Sequence, residues 1–116
     1  MSKRIFLLDD DELILDSFSM IFTELGFAVT TCSDSARGAQ LATESPYDLI
    51  LCDMRMPGLN GAQAIKVMRL QRPDARILVL TAYPGDPIVQ AALEAGAQGV
   101  MKKPFEIAKI LELLKD

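Results

Sequence analysis

Four short apolar runs in this chain each end in a residue that can do chemistry. Arg4–Leu8 runs into Asp9, Asp10 and Asp11, and residues 49–52 run into Asp53. Residues 76–80 run into Thr81, and residues 99–101 into Lys102 and Lys103. Carboxylates crowded into one crevice repel one another, and some are pushed toward the neutral form. A divalent cation relieves that repulsion, and hard oxygen ligands without His or Cys favour magnesium, which keeps several waters and also binds phosphate. A cation and a lysine together can neutralise the oxygens of a transferring phosphoryl group, and a threonine hydroxyl can donate to it. Asp53 is ionised at neutral pH, so as a nucleophile it needs no base. The chemistry that these residue types allow is magnesium-dependent phosphorylation of an aspartate. Singly, each has a plainer explanation: a solvated acidic loop, a turn threonine, a surface lysine pair. Their meaning rests on whether the fold brings them to one edge.

Composition narrows the alternatives. With 116 residues, half of them hydrophobic, the chain has enough apolar surface for one domain with one core. The net charge is −4 and the pI about 4.8, and no basic patch is evident, so this segment is not expected to bind nucleic acid. No apolar run approaches the ~18 residues of a membrane span, and the short apolar run near the N-terminus does not resemble a signal peptide. A cytoplasmic protein without membrane attachment is expected. Histidine is absent, which removes Ser-His-Asp chemistry, Cys-His chemistry and the usual zinc sites. Cys32 and Cys52 each end a β-like run and read as reduced, buried small hydrophobes.

The elements that must position these groups alternate along the chain. Strands are expected at Arg4–Leu8, Ala28–Cys32, 49–52, 76–80 and 99–101. The run 49–52 is apolar throughout, as suits a strand buried on both faces of a parallel sheet. A first helix carries Ile14, Phe18, Ile21, Phe22 and Leu25 on one face and is closed by Gly26. Ser33, Asp34 and Ser35 are candidate caps for a second helix over 36–44, interrupted by Gly38 and ended by Ser45-Pro46. A third helix over Gly61–Gln71 turns Ile65, Met68 and Leu70 inward. A fourth spans 88–95. A fifth, over about 105–115, has Ile107, Ile110, Leu111 and Leu114 on one face. Five strands alternating with five helices imply an α/β fold, a parallel sheet covered on both faces by right-handed crossovers. The length suits the flavodoxin-like strand order 2-1-3-4-5. In that order all four chemical strand ends lie on one carboxyl edge, where open α/β sheets bind ligands.

The residues FLLDDDE, LILCDMRMPGLNG, ILVLTAY and GVMKKPF, in that order and spacing, resemble the receiver domain of two-component response regulators, and the likeness covers the whole chain, residues 1–116. The resemblance implies a phosphorylation-switched signalling domain, not an enzyme acting on a separate substrate. It implies Asp53 as phosphoacceptor, with Thr81 and Lys103 completing the catalytic set. Magnesium would be held by Asp10 directly, by Asp9 through water, by Asp53 and by the backbone carbonyl of Arg55. Lys103 would pair with the phosphoryl group, ahead of a cis Lys103–Pro104 bond. The donor would be a histidine kinase or phosphotransfer protein, whose phosphohistidine lies on the partner. The state would be relayed to an output domain or downstream protein. The face made by the fourth helix, fifth strand and fifth helix would carry output contacts or homodimerisation. A stand-alone regulator and a fragment of a longer one fit equally.

Val100 departs from the family pattern, which has an aromatic three residues before the lysine. The aromatic half of the usual switch therefore cannot operate, and a shift of the 88–95 helix is one other route for the signal. Arg55 and Tyr83 would flank the phosphoryl group and restrict attacking water. A rival reading takes Asp9-Asp10-Asp11 as the D-x-D signature of haloacid-dehalogenase-like phosphatases, with Asp9 as nucleophile, Asp11 as acid, and Thr81 and Lys103 in support. Against it, no acidic pair follows Lys103 and there is no room for a substrate cap.

Overall fold

A computed structural model of the chain describes residues 2–115. Its elements in chain order are β1 (Arg4–Leu8), α1 (Glu12–Glu24), β2 (Ala28–Cys32), α2 (Ser35–Glu44), β3 (Leu49–Asp53), α3 (Gly61–Gln71), β4 (Ile77–Thr81), α4 (Pro87–Ala95), β5 (Val100–Lys102) and α5 (Ile107–Leu113). All strands are parallel, in the order β2-β1-β3-β4-β5. Among the described residues no helix is long and apolar enough to cross a membrane.

Strand side chains alternate between two apolar layers, as the period of two requires. Phe6, Leu8, Ile50, Cys52, Ile77 and Val79 face α2, α3 and α4, whose Ala39, Ile65, Met68 and Val89 meet them. Ile5, Leu7, Leu49, Leu51 and Leu80 face α1 and α5, against Phe18, Phe22 and Ile110. Every residue of β3 is buried, as expected for the central strand of a sheet covered on both sides. Phe105 lies edge-on to Phe18 with ring centroids 5.2 Å apart, which ties the segment just after Lys103 to α1.

Several elements differ from the sequence expectation by one register step. β4 and β5 begin and end one residue later, so Thr81 and Lys102 are themselves strand residues. α2 starts at Ser35 because Asp34 is its cap, its carboxylate accepting from the Arg37 amide at 3.0 Å. α5 is shorter than expected, and Ile107 at its start is 38 % exposed because the buried stripe begins only at Ile110. Leu70 was expected inward but is 74 % exposed, since Ile65 and Met68 already fill the stripe that α3 offers the sheet. Leu25 is also exposed, beyond the last turn of α1. Gly26 has φ +97 and supplies the left-handed closure of that helix. Gly38 is no defect in α2: a Cβ there would drive into the Leu8 side chain, so its absence lets the helix lie on β1.

Gly61 has a comparable role at the start of α3. A Cβ would collide with the Asp53 carbonyl and the Met54 side chain and sit 2.8 Å from the Met54 Cα. The carbonyl and the Cα are backbone atoms at the end of β3 and just beyond it, and they cannot give way cheaply. Gly61→Ala is expected to lower stability by about 2–3 kcal/mol, the upper range for overpacking, read as a lower urea midpoint with unchanged slope. An unaltered midpoint would show that α3 can slide off β3 at no cost.

Candidate functional site

The register sets the site. Leu8 pairs with Cys52, so the next residues, Asp9 and Asp53, leave neighbouring strands side by side. Asp53 pairs with Leu80, which places Thr81 one step further along the same edge. Thr81 pairs with Lys102, so Lys103 follows on the next strand. The alignment is tied at this end by the Lys103 amide, which donates to the Thr81 carbonyl at 2.7 Å. The Lys103–Pro104 bond is cis.

One carboxylate oxygen from each of Asp9, Asp10 and Asp53 falls within 4.8 Å of the others. Asp9 is fully buried, Asp53 is 7 % exposed, and Asp10 is open to solvent. The Lys103 ammonium enters between the two buried acids, 2.9 Å from Asp9 Oδ2 and 3.2 Å from Asp53 Oδ1. Asp9 Oδ1 accepts from the Asp11 amide at 3.0 Å, and Oδ2 is held by the Lys103 ammonium as an ion pair. Both hydrogen bonds to the Asp53 carboxylate land on Oδ1, one from the Met54 amide at 2.8 Å and one from Lys103. Oδ2 takes part in neither.

The charges do not balance within this pocket. Burial pushes the Asp53 carboxyl up, Asp9 pushes it further, and Lys103 with the Met54 amide pulls it partly back, leaving a pKa of about 6. Burial works against the Lys103 ammonium, yet Asp9 and Asp53 together outweigh it and hold its pKa above the usual lysine value. Burial first, then Asp53 and Asp9, push the Cys52 thiol far up, so it is inert. Three acids gathered on one ammonium, with burial and Asp9 raising the Asp53 pKa, form an arrangement that a hard divalent cation would relieve. The donor set, all oxygen, fits magnesium.

Thr81 is 5 % exposed, and its hydroxyl accepts from the Tyr83 amide at 3.1 Å. Tyr83 itself is 73 % exposed. Arg55, two residues past Asp53, is not loose in solvent. Its guanidinium makes a two-pronged ion pair with Asp86, at 2.9 Å and 2.7 Å. That pairing, chiefly through its hydrogen bonds, raises the Arg55 pKa and lowers that of Asp86. Asp86 also caps α4, accepting from the Ile88 amide at 3.1 Å. Asp86 was not singled out from the sequence, although Asp-Pro at a helix start carries a cap signature. Val100 lies on the edge strand β5, 41 % exposed.

Asp11 is committed elsewhere. Its carboxylate caps α1, accepting from the Leu13 and Ile14 amides at 3.0 and 3.4 Å. Asp9, the nucleophile of the phosphatase reading, is fully buried and paired with Lys103. The geometry thus does not favour a D-x-D phosphatase.

Residues 5–115 match the family described as response regulator receiver domain. The transcriptional regulatory protein QseB of Haemophilus influenzae is 33 % identical over 112 residues, covering 97 % of this chain and 51 % of QseB. Sporulation initiation phosphotransferase F of Bacillus subtilis is 28 % identical over 115 residues, covering 99 % of this chain and 93 % of that protein. The chain thus spans about half of QseB, and of FixJ of Bradyrhizobium diazoefficiens (55 %), but nearly all of phosphotransferase F. Among solved structures, the receiver domain of sensor histidine kinase PA1611 from Pseudomonas aeruginosa superposes with a TM-score of 0.87 at 28 % identity, covering 98 % and 95 % of the two chains. That structure has a magnesium ion coordinated in its active-site cleft. Chemotaxis protein CheY4 of Vibrio cholerae gives 0.87 at 27 % identity, covering 98 % and 97 %.

Proposed function

The chain belongs to the response regulator receiver domain family, and from that premise we propose that it is a phosphorylation switch whose acceptor is Asp53. The observation that carries this is the convergence of Asp9, Asp10 and Asp53 with Lys103 threaded between the buried pair. Asp53 Oδ2 attacks the phosphorus of a phosphohistidine on a histidine kinase or phosphotransfer protein. An O–P bond forms as the P–N bond breaks, and its electron pair returns to the donor imidazole, which takes up a proton. At neutral pH a carboxyl with pKa of about 6 is mostly ionised, so no base is required. Lys103 offsets charge on the incoming phosphoryl oxygens, and Thr81 donates to one of them.

Magnesium would be held by Asp10, by Asp53, by the carbonyl of Arg55 and, through water, by Asp9, and it would neutralise charge on the transferring group. The protein catalyses only its own phosphorylation and dephosphorylation. In the cytoplasm it would relay its state to an output domain or a downstream protein. The face of α4, β5 and α5, where Val100 is exposed, is the surface for that contact or for homodimerisation.

The test mixes the protein with magnesium and a small-molecule phosphodonor such as acetyl phosphate and reads intact mass. One added phosphoryl group on the wild type and none on Asp53→Asn is the expected result. No addition to the wild type, or equal addition to both, would overturn the proposal. A second expectation concerns lifetime. Arg55 and Tyr83 leave the same edge as Asp53 and Thr81, and their bulk hinders water on the phosphoryl group. Arg55→Ala and Tyr83→Ala are each expected to speed its loss severalfold, measured by the decay of the phosphorylated mass. Equal decay rates in both variants and wild type would remove this role.

A further inference from the structure

Among the described residues Ser35 is one of the few buried polar side chains, 3 % exposed. Its hydroxyl does not serve its own helix, because Asp34 caps α2. Instead it donates to the Pro57 carbonyl at 2.8 Å and accepts from the Leu59 amide at 2.9 Å. Both partners lie in the β3–α3 loop, more than twenty residues away. Between them sits Gly58 with φ +81, and a Cβ there would lie 2.9 Å from Ser35 Oγ. Gly58 therefore serves both the left-handed conformation and the space for the hydroxyl. One side chain uses its donor and its acceptor to grip the crest of the loop.

The base of the loop is held separately. The Gly61 amide donates to the Met54 carbonyl at 2.9 Å, and Asn60 and Gln63 close a reciprocal cap at the start of α3. With base and crest both fixed, the path left for Arg55 and Met56 between them is short. The clamp also borders a surface cavity of about 490 Å³ lined by Asp10, Ser33, Ser35, Pro57 and Gly58, so it adjoins another acid of the pocket.

We propose that Ser35 is a positioning residue that sets the Arg55 carbonyl and thereby tunes the magnesium affinity of the acidic pocket. This rests on the magnesium-binding part of the receiver reading of the site. Ser35 does not touch the ion or the phosphoryl group; it acts through the loop.

The test uses the full chain with Ser35→Ala and Ser35→Thr. Titration calorimetry with magnesium chloride reads affinity, and amide hydrogen exchange of the metal-free protein reads the loop. Ser35→Ala is expected to weaken magnesium binding roughly tenfold, the low end for loss of an outer-shell partner. It is also expected to speed exchange of the Gly58 and Leu59 amides selectively. Ser35→Thr keeps the hydroxyl and is expected to recover most of the affinity. A residue that only supported the fold would lower the melting temperature and leave the affinity of the folded protein unchanged. Unchanged affinity in Ser35→Ala, unchanged exchange in the loop, or Ser35→Thr no better than Ser35→Ala would each overturn the proposal. A wild type that binds magnesium but takes no phosphoryl group would remove the phosphoacceptor reading and leave this one standing.

Discussion

Replacing Lys103 by methionine is expected to slow phosphorylation of Asp53 by about 10²–10³-fold, the usual loss when one group that stabilises transition-state charge is removed. It is also expected to cost about 3 kcal/mol of stability in the metal-free protein at pH 8, because breaking a buried pair leaves unpaired charge behind. Lys103 is the cation set between Asp9 and Asp53, at 2.9 and 3.2 Å, and methionine keeps its length without its charge. The sign of the pH dependence separates this from a packing defect. The folded pKa of Lys103 lies above its unfolded value, so its own contribution is complete below that unfolded value of about 10.4 and is lost only as pH rises through the folded one. Between pH 5 and 8 the lysine stays charged, and any change comes from the acids it faces. Without Lys103 the Asp53 carboxyl titrates higher still, so the stability cost is largest at pH 8 and shrinks toward pH 5. Urea midpoints at the two pH values check this, and intact-mass time courses check the rate. A cost that is the same at both, with an unaltered rate, would mean that Lys103 is a spectator.

Asp53→Asn is expected to make the metal-free protein more stable at pH 8, by about 2 kcal/mol, while abolishing phosphoryl uptake. The Asp53 carboxyl has a folded pKa of about 6, against about 3.9 for an unperturbed aspartate. A raised carboxyl means that the folded state binds more protons than the unfolded state between those values. Its contribution is therefore fully present below about pH 4 and is lost as pH rises through 6. Two units at about 1.4 kcal/mol each set an upper bound near 3 kcal/mol. Relaxation between the coupled acids lowers that. Asparagine keeps the oxygen that accepts from the Met54 amide and from Lys103, so the hydrogen bonds survive while the repulsion from Asp9 goes. The gain should vanish near pH 4, where the wild-type carboxyl is already protonated, and should shrink when magnesium stabilises the wild type. Equal midpoints at pH 8, or the same gain at pH 4, would show that the site is not strained by Asp53.

The two results together describe a site kept at a cost to its fold. Acids that share one edge are held by a single lysine, and the resulting imbalance is what a cation would relieve. On the receiver reading, Val100 has no ring to turn, and the signal would leave by another route, such as a shift of α4, or the two states would differ less. The structure does connect the acceptor loop to α4 by another contact, the Arg55–Asp86 ion pair, which joins a loop residue two positions after Asp53 to the cap of that helix.

Residue type and spacing located the five strands and the four strand ends that carry chemical groups, while the pairing order was expected from the chain length and is shown by the sheet. Alternation along the strands and the helical stripes depends only on local backbone geometry, and parallel strands all point their carboxyl ends the same way, so Asp9, Asp53, Thr81 and Lys103 had to reach one edge. The tertiary structure decided what those rules leave open. It assigned Asp34 rather than Ser35 to the cap of α2 and turned Ser35 onto Pro57 and Leu59. It gave the Arg55 side chain to Asp86 and left Leu70 and Ile107 outside the core. It also set the proton affinity of Asp53, which depends on how deeply the site is buried and on which oxygen the Lys103 ammonium reaches. Such choices turn on the distance between elements remote in sequence. Periodicity specifies which face a residue occupies, but only the packing of α2 and α4 against the loops fixes the last few ångströms over which hydrogen bonds and ion pairs select their partners.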